Sequence, residues 1–381
     1  MEELMRVLVL CNHWRTEGGI EKVVVDTVAT LIALGCVVEV WSASDERGYS
    51  INGITSHALA PSARWQRFLY FRITWKLRLG SQLIKNVGRF DVVVSGHVRI
   101  QGVVRKALEQ RPGTGVRSFL WVYGIEVWGR NARKHANDLR SADRVICISH
   151  FTAEQISEWV QPDKIVVIPP TVDTDFFKPL DGSAQVKKDE ILIVGRLSSA
   201  ERYKGHDLLM KVLPEVGKRT GEIVYLSIVG DGDDRGRLEK LSRSLGIANR
   251  VEFRGRLQLE DLVSAYQRCT VFAMPSYVIR HTRKVWTGEG FGIVYLEAQA
   301  CGRPVVASKD GGAPETLDPS LSGLIVDPRD QQELTDALVQ LITNSAMASE
   351  MGRHGRKLME SHFCKERFVR QIGETFMLRG R

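Results

Sequence analysis

Residues 288–307 read Gly288-Glu289-Gly290-Phe291-Gly292-Ile293-Val294-Tyr295-Leu296-Glu297-Ala298-Gln299-Ala300-Cys301-Gly302-Arg303-Pro304-Val305-Val306-Ala307. Glycines bracket an aromatic just before an apolar run, so a flexible loop feeds the N-terminus of a helix. A short β-branched run, Pro304–Ala307, then follows. Loop, helix and buried strand in that order are one step of an α/β fold. Working outward, similar runs recur at Ile191–Val194, Val224–Val229, Arg250–Phe253 and Val271–Met274. Before them stand Arg6–Cys11, Val37–Trp41, Phe90–Ser95, Arg117–Val122, Arg144–Ile148 and Lys164–Ile168. Nearly all-apolar strands separated by amphipathic segments predict parallel sheets covered on both faces. The pattern breaks at Pro169-Pro170 and in the polar stretch Lys178–Asp189, which divides the chain into two Rossmann-like domains. The expected boundaries are 1–172 and 173–361, with a final helix at about 362–381 returning to the first domain.

The 381 residues are 43% apolar and 26% charged, the composition of a globular chain rather than a disordered one. The longest apolar stretch, Val23 to Trp41, is broken by Asp26, Thr27, Thr30, Gly35 and Glu39 and reads as helix, turn and strand, not a membrane span. An acidic start, Met1-Glu2-Glu3, running into a strand predicts no secretory signal and a cytoplasmic location. Six scattered cysteines without a C-x-x-C pair predict neither a disulfide frame nor a zinc site. The net charge of +8 is uneven: residues 64–144 hold 17 Lys/Arg against 5 Asp/Glu. An anionic partner is therefore expected for the first half.

In open α/β sheets ligands bind at the carboxyl ends of strands, and the loops there carry the informative residues. Gly18-Gly19 opens a helix after the first strand, where backbone N–H groups could approach a phosphate; the pair fits a turn equally well. Val194-Gly195-Arg196-Leu197 ends a strand, and Tyr203-Lys204-Gly205 follows before the next helix. Arg196 offers a planar fork and Lys204 a point charge, both suited to a diphosphate, although two solvated surface cations would look the same. Gly230-Asp231-Gly232 is another tight strand exit. Glu289 and Glu297 stand eight positions apart, about 12 Å if the whole segment were helical. That is too far for the ~5 Å carboxylate pair of a retaining glycosidase and suits two ends of a long polyhydroxylated ligand, although a helix N-terminal charge at Glu289 and a solvated face at Glu297 would look the same.

Taken together, G-R-L with Y-K-G, G-D-G, G-E-G-F-G-I-V-Y-L-E-A, residues 300–307 and Gly311-Gly312-Ala313-Pro314-Glu315 resemble the retaining family 4 glycosyltransferases. Gly18-Gly19-Ile20-Glu21 and Ile148-Ser149 with Thr152-Ala153-Glu154 extend the likeness into the first half. The resemblance implies a GT-B fold, two Rossmann-like domains facing each other across a cleft, and a nucleotide-sugar donor, with UDP-hexose favoured. It implies that Arg196 and Lys204 neutralise the diphosphate, that Glu297 binds the ribose and that Glu289 faces the donor sugar. Phe291, Gly292 and Ile293 would hold sugar and phosphate by their backbone, Gly195 and Gly230 would line the donor, Arg254 and Gly255 would border the base, and Gly18 and Gly19 would reach the donor from the first domain. It further implies no metal, no cofactor, and a front-face displacement without an enzyme nucleophile, driven by positioning and preorganised charge.

The acceptor side departs from the family pattern. Where a His is frequent the chain has Tyr123-Gly124-Ile125-Glu126, and a phenol with an ordinary pKa of ~10 is no base near neutrality. His97, after Gly96, resembles the family's acceptor-side His and is the expected acceptor-activating group, although a structural histidine would look the same; Tyr123 and Glu126 would lie beside the acceptor. Residues 64–78 hold five aromatics among five cations, including Arg64, Arg67 and Arg72. This composition fits an interfacial helix on anionic lipid, or a core helix with a wet basic face. The insert Tyr277–Thr287, with Arg280, His281, Arg283 and Lys284, would clamp acceptor or phosphate, or act as a lid. A glycan or lipid-linked acceptor is expected and nucleic acid is not, since no nucleic-acid motif accompanies the charge. Two other readings are a GT-B sugar-nucleotide epimerase and a non-catalytic membrane- or nucleic-acid-binding protein.

Overall fold

The computed structural model describes residues 4–15, 18–60, 74–180, 189–280 and 286–377. The chain forms two compact units, 1–169 with 368–381 and 170–367. The boundaries thus fall three residues before and six residues after those expected, at Pro169/Pro170 and Arg367/Phe368.

The first unit is built from β1 (Arg6–Cys11), β2 (Val37–Ser42), β3 (Ser50–Ile51), β4 (Ile54–Thr55), β5 (His57–Ala58), β6 (Val92–Ser95), β7 (Arg117–Val122), β8 (Arg144–Cys147) and β9 (Ile165–Val167). Its sheet runs β5-β2-β1-β6-β7-β8-β9, and every neighbouring pair is parallel. β3 and β4 form a separate antiparallel hairpin. Val7 to Leu10, Val92 to Val94 and Phe119 to Val122 are all buried. Burial on both faces is why these strands lack the polar alternation of a half-exposed sheet. The helices Trp75–Asn86 and Val98–Glu109 share one core with the sheet through Leu79, Leu83, Ile100 and Val104, set against Trp41 and Phe90.

The second unit contains β10 (Glu190–Val194), β11 (Tyr225–Val229), β12 (Val251–Gly255), β13 (Val271–Met274), β14 (Ile279–Arg280), β15 (Trp286–Thr287), β16 (Val305–Ser308) and β17 (Gly323–Val326). Its sheet order is β12-β11-β10-β13-β16-β17, again parallel throughout. The sixth strand, β17, is absent from the sequence reading because its apolar run, Leu324-Ile325-Val326, is only three residues long. Gly323 starts it because a Cβ there would stand 2.5 Å from the Val305 carbonyl oxygen. β14 and β15 pair antiparallel as a small ribbon outside the sheet.

The helix Lys365–Met377 begins in the second unit and from Phe368 onward belongs to the first. Its Phe376 ring meets Phe119 edge-on at 4.7 Å, and the Arg117 guanidinium donates to the Phe376 carbonyl at 3.2 Å. Five of the six cysteines are buried and none is bonded to another. Burial pushes the Cys301 thiol up to about 12, so it behaves as a small apolar group. No helix among the described residues is long and apolar enough to cross a membrane.

Candidate active site

In the second unit the strands β10, β11, β12 and β13 open at one sheet edge, and the loops leaving them converge there. Gly230 shows why glycine is required: its φ is +136°, and a Cβ would lie 2.0 Å from the Gly195 carbonyl oxygen. Gly230 N–H also donates to Gly255 O at 2.8 Å, closing the exits of β11 and β12 on each other. Arg254, beside that contact and partly buried, stands 4.0 Å from the exposed Glu252, a long pair of little energetic weight.

The cations expected on the diphosphate are both at this edge. Lys204 ends the short helix Ser199–Lys204 and is held because Gly205, at φ +88°, packs against the Pro275 backbone where no Cβ fits. Tyr277 N–H donates to Tyr203 O at 2.8 Å and pins the same turn to the segment after β13. The Lys204 ammonium lies 3.1 Å from Glu289 Oε2, so the expected phosphate ligand and the expected sugar ligand are in direct contact. Arg196 is three-quarters exposed, and its guanidinium pairs with Glu201. Glu201 Oε2 lies 3.7 Å from Lys204 Nζ. The sequence reading missed Glu201; its only signal was an acid between the two basic motifs. It turns two supposedly free cations into an alternating row, Arg196, Glu201, Lys204, Glu289.

The loop of Glu289 is fixed from behind by Gly311-Gly312. Gly312 N–H donates to Glu289 O at 3.1 Å, and a Cβ on Gly312 would be 2.0 Å from Gly290 O. Gly292, at φ +98°, begins the helix Ile293–Ala300, and no side chain caps that N-terminus. Tyr295 N–H turns back to Gly292 O at 3.1 Å, and an N-terminus without a side-chain cap suits an anion. Phe291 is buried against Phe363, ring centroids 5.9 Å apart. Glu297 projects one helix turn before Ala300 and accepts the Tyr266 hydroxyl at 2.8 Å. Tyr266 is fully buried, and its aim on Glu297 was not legible from sequence. At the far end of the same helix, Arg356 donates to Thr174 O, Phe177 O and Ala300 O at 2.7–2.9 Å.

In the first unit the corresponding edge carries Gly18, Gly19, His97, Tyr123 and Glu126. Gly18, at φ +102°, precedes the helix Gly19–Ala33. His97 caps the helix Val98–Glu109, its Nδ1 accepting the Arg99 N–H at 3.1 Å. Burial, then Arg99 and His135, lower its pKa to about 4. Nδ1 is thus occupied by a backbone amide, and with that low pKa the ring is neutral near pH 7. Tyr123 has its hydroxyl buried without a hydrogen-bond partner, and burial followed by Glu126 raises its pKa far above ordinary. Tyr123 stacks on Trp121, ring centroids 6.2 Å apart. Glu126 is tied to backbone, accepting Tyr123 N–H at 2.5 Å. Its pKa is raised by burial, opposed by backbone N–H groups of Tyr123, Glu126 and Gly124. Asp45, fully buried, holds the loop after β1 by accepting Trp14 N–H at 2.7 Å and meeting His13 Nδ1 at 3.0 Å.

Arg64, Arg67 and Arg72 lie outside the described residues, as do His281, Arg283 and Lys284 of the insert. Arg280 is described, and its guanidinium covers the Trp286 ring at 4.4 Å across the β14–β15 ribbon. Among the described residues, no group of three or more His, Cys, Asp or Glu side chains is placed to hold a metal ion.

Two family models match the chain: Glycosyltransferase Family 4 over residues 17–176 and Glycosyl transferases group 1 over residues 178–358. A GDP-mannose-dependent monoacylated alpha-(1-6)-phosphatidylinositol monomannoside mannosyltransferase of Corynebacterium glutamicum is 31% identical, over 82% of this chain and 77% of its own. A GDP-mannose-dependent alpha-(1-6)-phosphatidylinositol monomannoside mannosyltransferase of Mycolicibacterium smegmatis is 37% identical over 59% of this chain, and the match spans 58% of its length. The fold is that of a sucrose-phosphate synthase from Thermosynechococcus elongatus, TM-score 0.80 at 22% identity, with 98% of each chain covered.

Proposed function

The chain belongs to glycosyltransferase family 4, and from that premise we propose that it transfers a hexosyl unit, with retention, from a guanosine diphosphate sugar to an inositol-containing glycolipid. The observation that carries this reading is the contact between Lys204 and Glu289 at 3.1 Å. It joins a phosphate-type cation to a carboxylate able to take sugar hydroxyls, beside an uncapped helix N-terminus. A sugar diphosphate has that sequence of groups. Guanine replaces the uracil favoured from sequence because both mannosyltransferase relatives are GDP-mannose-dependent by name. Their acceptors, again by name, are phosphatidylinositol mannosides, which supports a lipid-linked acceptor met at a membrane surface. Neither name supports an epimerase.

In this mechanism the bond between the anomeric carbon and the β-phosphate oxygen breaks while an acceptor hydroxyl closes on the same face. Its proton passes to the departing phosphate. Charge grows on the leaving diphosphate, where Arg196, Lys204 and the N-terminus of the helix Ile293–Ala300 receive it. Glu289 orients the sugar, and Glu297, steadied by Tyr266, takes the ribose hydroxyls. We assign no metal to this chemistry. The test is a release assay over GDP-mannose, GDP-glucose, UDP-glucose, UDP-galactose and ADP-glucose, with phosphatidylinositol mannoside vesicles as acceptor. Acceptor-dependent release of GDP from GDP-mannose is expected. Turnover of UDP-sugars alone would overturn the donor assignment, and loss of donor without gain on the acceptor would overturn transfer.

A further inference from the structure

Glu201 is placed as an anion would be. Its Oε1 pairs with Arg196, and its Oε2 lies 3.7 Å from Lys204 Nζ, buried and without a hydrogen-bond partner. The side chain is 14% exposed, whereas Arg196, which it holds, is 75% exposed. Glu201 is also the one residue of the Ser199–Lys204 turn that leaves helical dihedrals, at φ −119° and ψ 27°. Together with Glu289 it cancels the charge of Arg196 and Lys204. A sheet edge assigned to a diphosphate therefore carries no net charge in these four side chains.

We propose that Glu201 is an exchangeable internal counter-ion: it occupies the diphosphate's cations while the donor is away, gives them up when the donor arrives, and reclaims them as the nucleoside diphosphate leaves. The inference rests on Arg196 and Lys204 being the diphosphate ligands. A diphosphate entering beside a fixed carboxylate meets repulsion comparable to the attraction of one cation, so Glu201 must swing away from the pair. The break in helical backbone at its own position supplies the freedom. Exchange of one anion for another weakens the hold on substrate and product alike, and shortens the stay of the product.

The test is titration of the full-length chain with GDP, UDP and inorganic pyrophosphate at low and high salt, for wild type and Glu201→Gln. The glutamine keeps the shape and removes the charge. About tenfold tighter binding of all three probes is expected, from the Coulomb term of one charge a few ångströms away. The gain should shrink at high salt, and steady-state transfer should show a lower donor KM together with a lower kcat as product release slows. Glu201→Ala serves as the second variant, with the same direction expected. Unchanged or weaker pyrophosphate binding in both variants overturns the proposal. Arg196→Ala and Lys204→Ala separate the two levels of inference. If they bind GDP as wild type does, the diphosphate assignment itself fails; if they lose GDP while the Glu201 variants gain nothing, only the counter-ion role fails.

Discussion

Replacing Gly312 by alanine tests whether the position of Glu289 matters for transfer. Gly312 has φ −88° and ψ 0°, a conformation alanine adopts freely, so the substitution adds one methyl group without backbone strain. That methyl carbon would sit 2.0 Å from Gly290 O and 2.7 Å from Gly290 C. A Cβ essentially never approaches closer than 3.0 Å, so the Glu289–Phe291 loop must recede by 1 Å or more. No flexible side chain can absorb the shift, since the neighbours are backbone atoms. Overpacking of this kind costs about 1–3 kcal/mol, a Tm fall of roughly 2–12 °C for a unit of this size. A displacement of ~1 Å at the reacting centre costs about a hundredfold in rate. The assay is kcat/KM for sugar transfer beside a thermal melt. A variant that melts a few degrees early yet folds fully at 25 °C, with transfer down about a hundredfold, is expected. Wild-type kcat/KM in a variant with the predicted melt would refute the claim that this loop sets the chemistry.

Further outcomes follow from the same geometry. Tyr266→Phe removes a hydrogen bond to the Glu297 carboxylate; such bonds contribute about 1.5–3 kcal/mol, so donor KM should rise at least tenfold with kcat little changed. Arg356→Ala leaves three carbonyl groups without their shared donor, and urea unfolding should show a loss of about 3 kcal/mol. His206 is buried and its pKa is lowered to about 4, by burial and then by Lys204. Its folded value lies below its unfolded one, so the unfolded chain binds more protons between them, and stability is full above pH 6.5 and falls as pH drops toward 4. Melts at pH 7 and pH 5 should differ less in His206→Leu than in wild type. Gly236→Ala, on an exposed helix with nothing within 4 Å of the new methyl, should raise stability by about 0.5 kcal/mol and leave transfer unaltered.

Strand runs were legible in the sequence because doubly buried parallel strands are apolar at every position, as in Ile191–Val194 and Val271–Met274. β17 was not, because its short run is completed by Gly323, whose presence reflects a close approach to Val305 and not strand propensity. Arg196, Lys204 and Glu289 could be singled out because each sits at a strand exit or helix start close to glycine, and Glu297 by its spacing from Glu289. Their partners could not. Glu201 lies within a few residues of Arg196 and Lys204, but its direction depends on a single irregular dihedral. Tyr266 comes 31 positions before Glu297, and only the packing of two helices aims its hydroxyl. His97 stands at a strand exit that spacing reveals, yet its charge state follows from burial and then from the charges of Arg99 and His135, which no spacing encodes.

The return of the last helix to the first unit has a consequence for synthesis. Phe368, Ile372 and Phe376 are buried, and Phe119, made long before it, has its aromatic partner in Phe376. A ribosome adding roughly 5–20 residues per second takes tens of seconds to pass from Pro170 to Arg367. Throughout that interval Phe119 lacks the ring of Phe376 that meets it in the finished fold. The second unit, contiguous in sequence, can be complete before the first is. The part made first is thus the part completed last, by residues that follow the whole of the second unit.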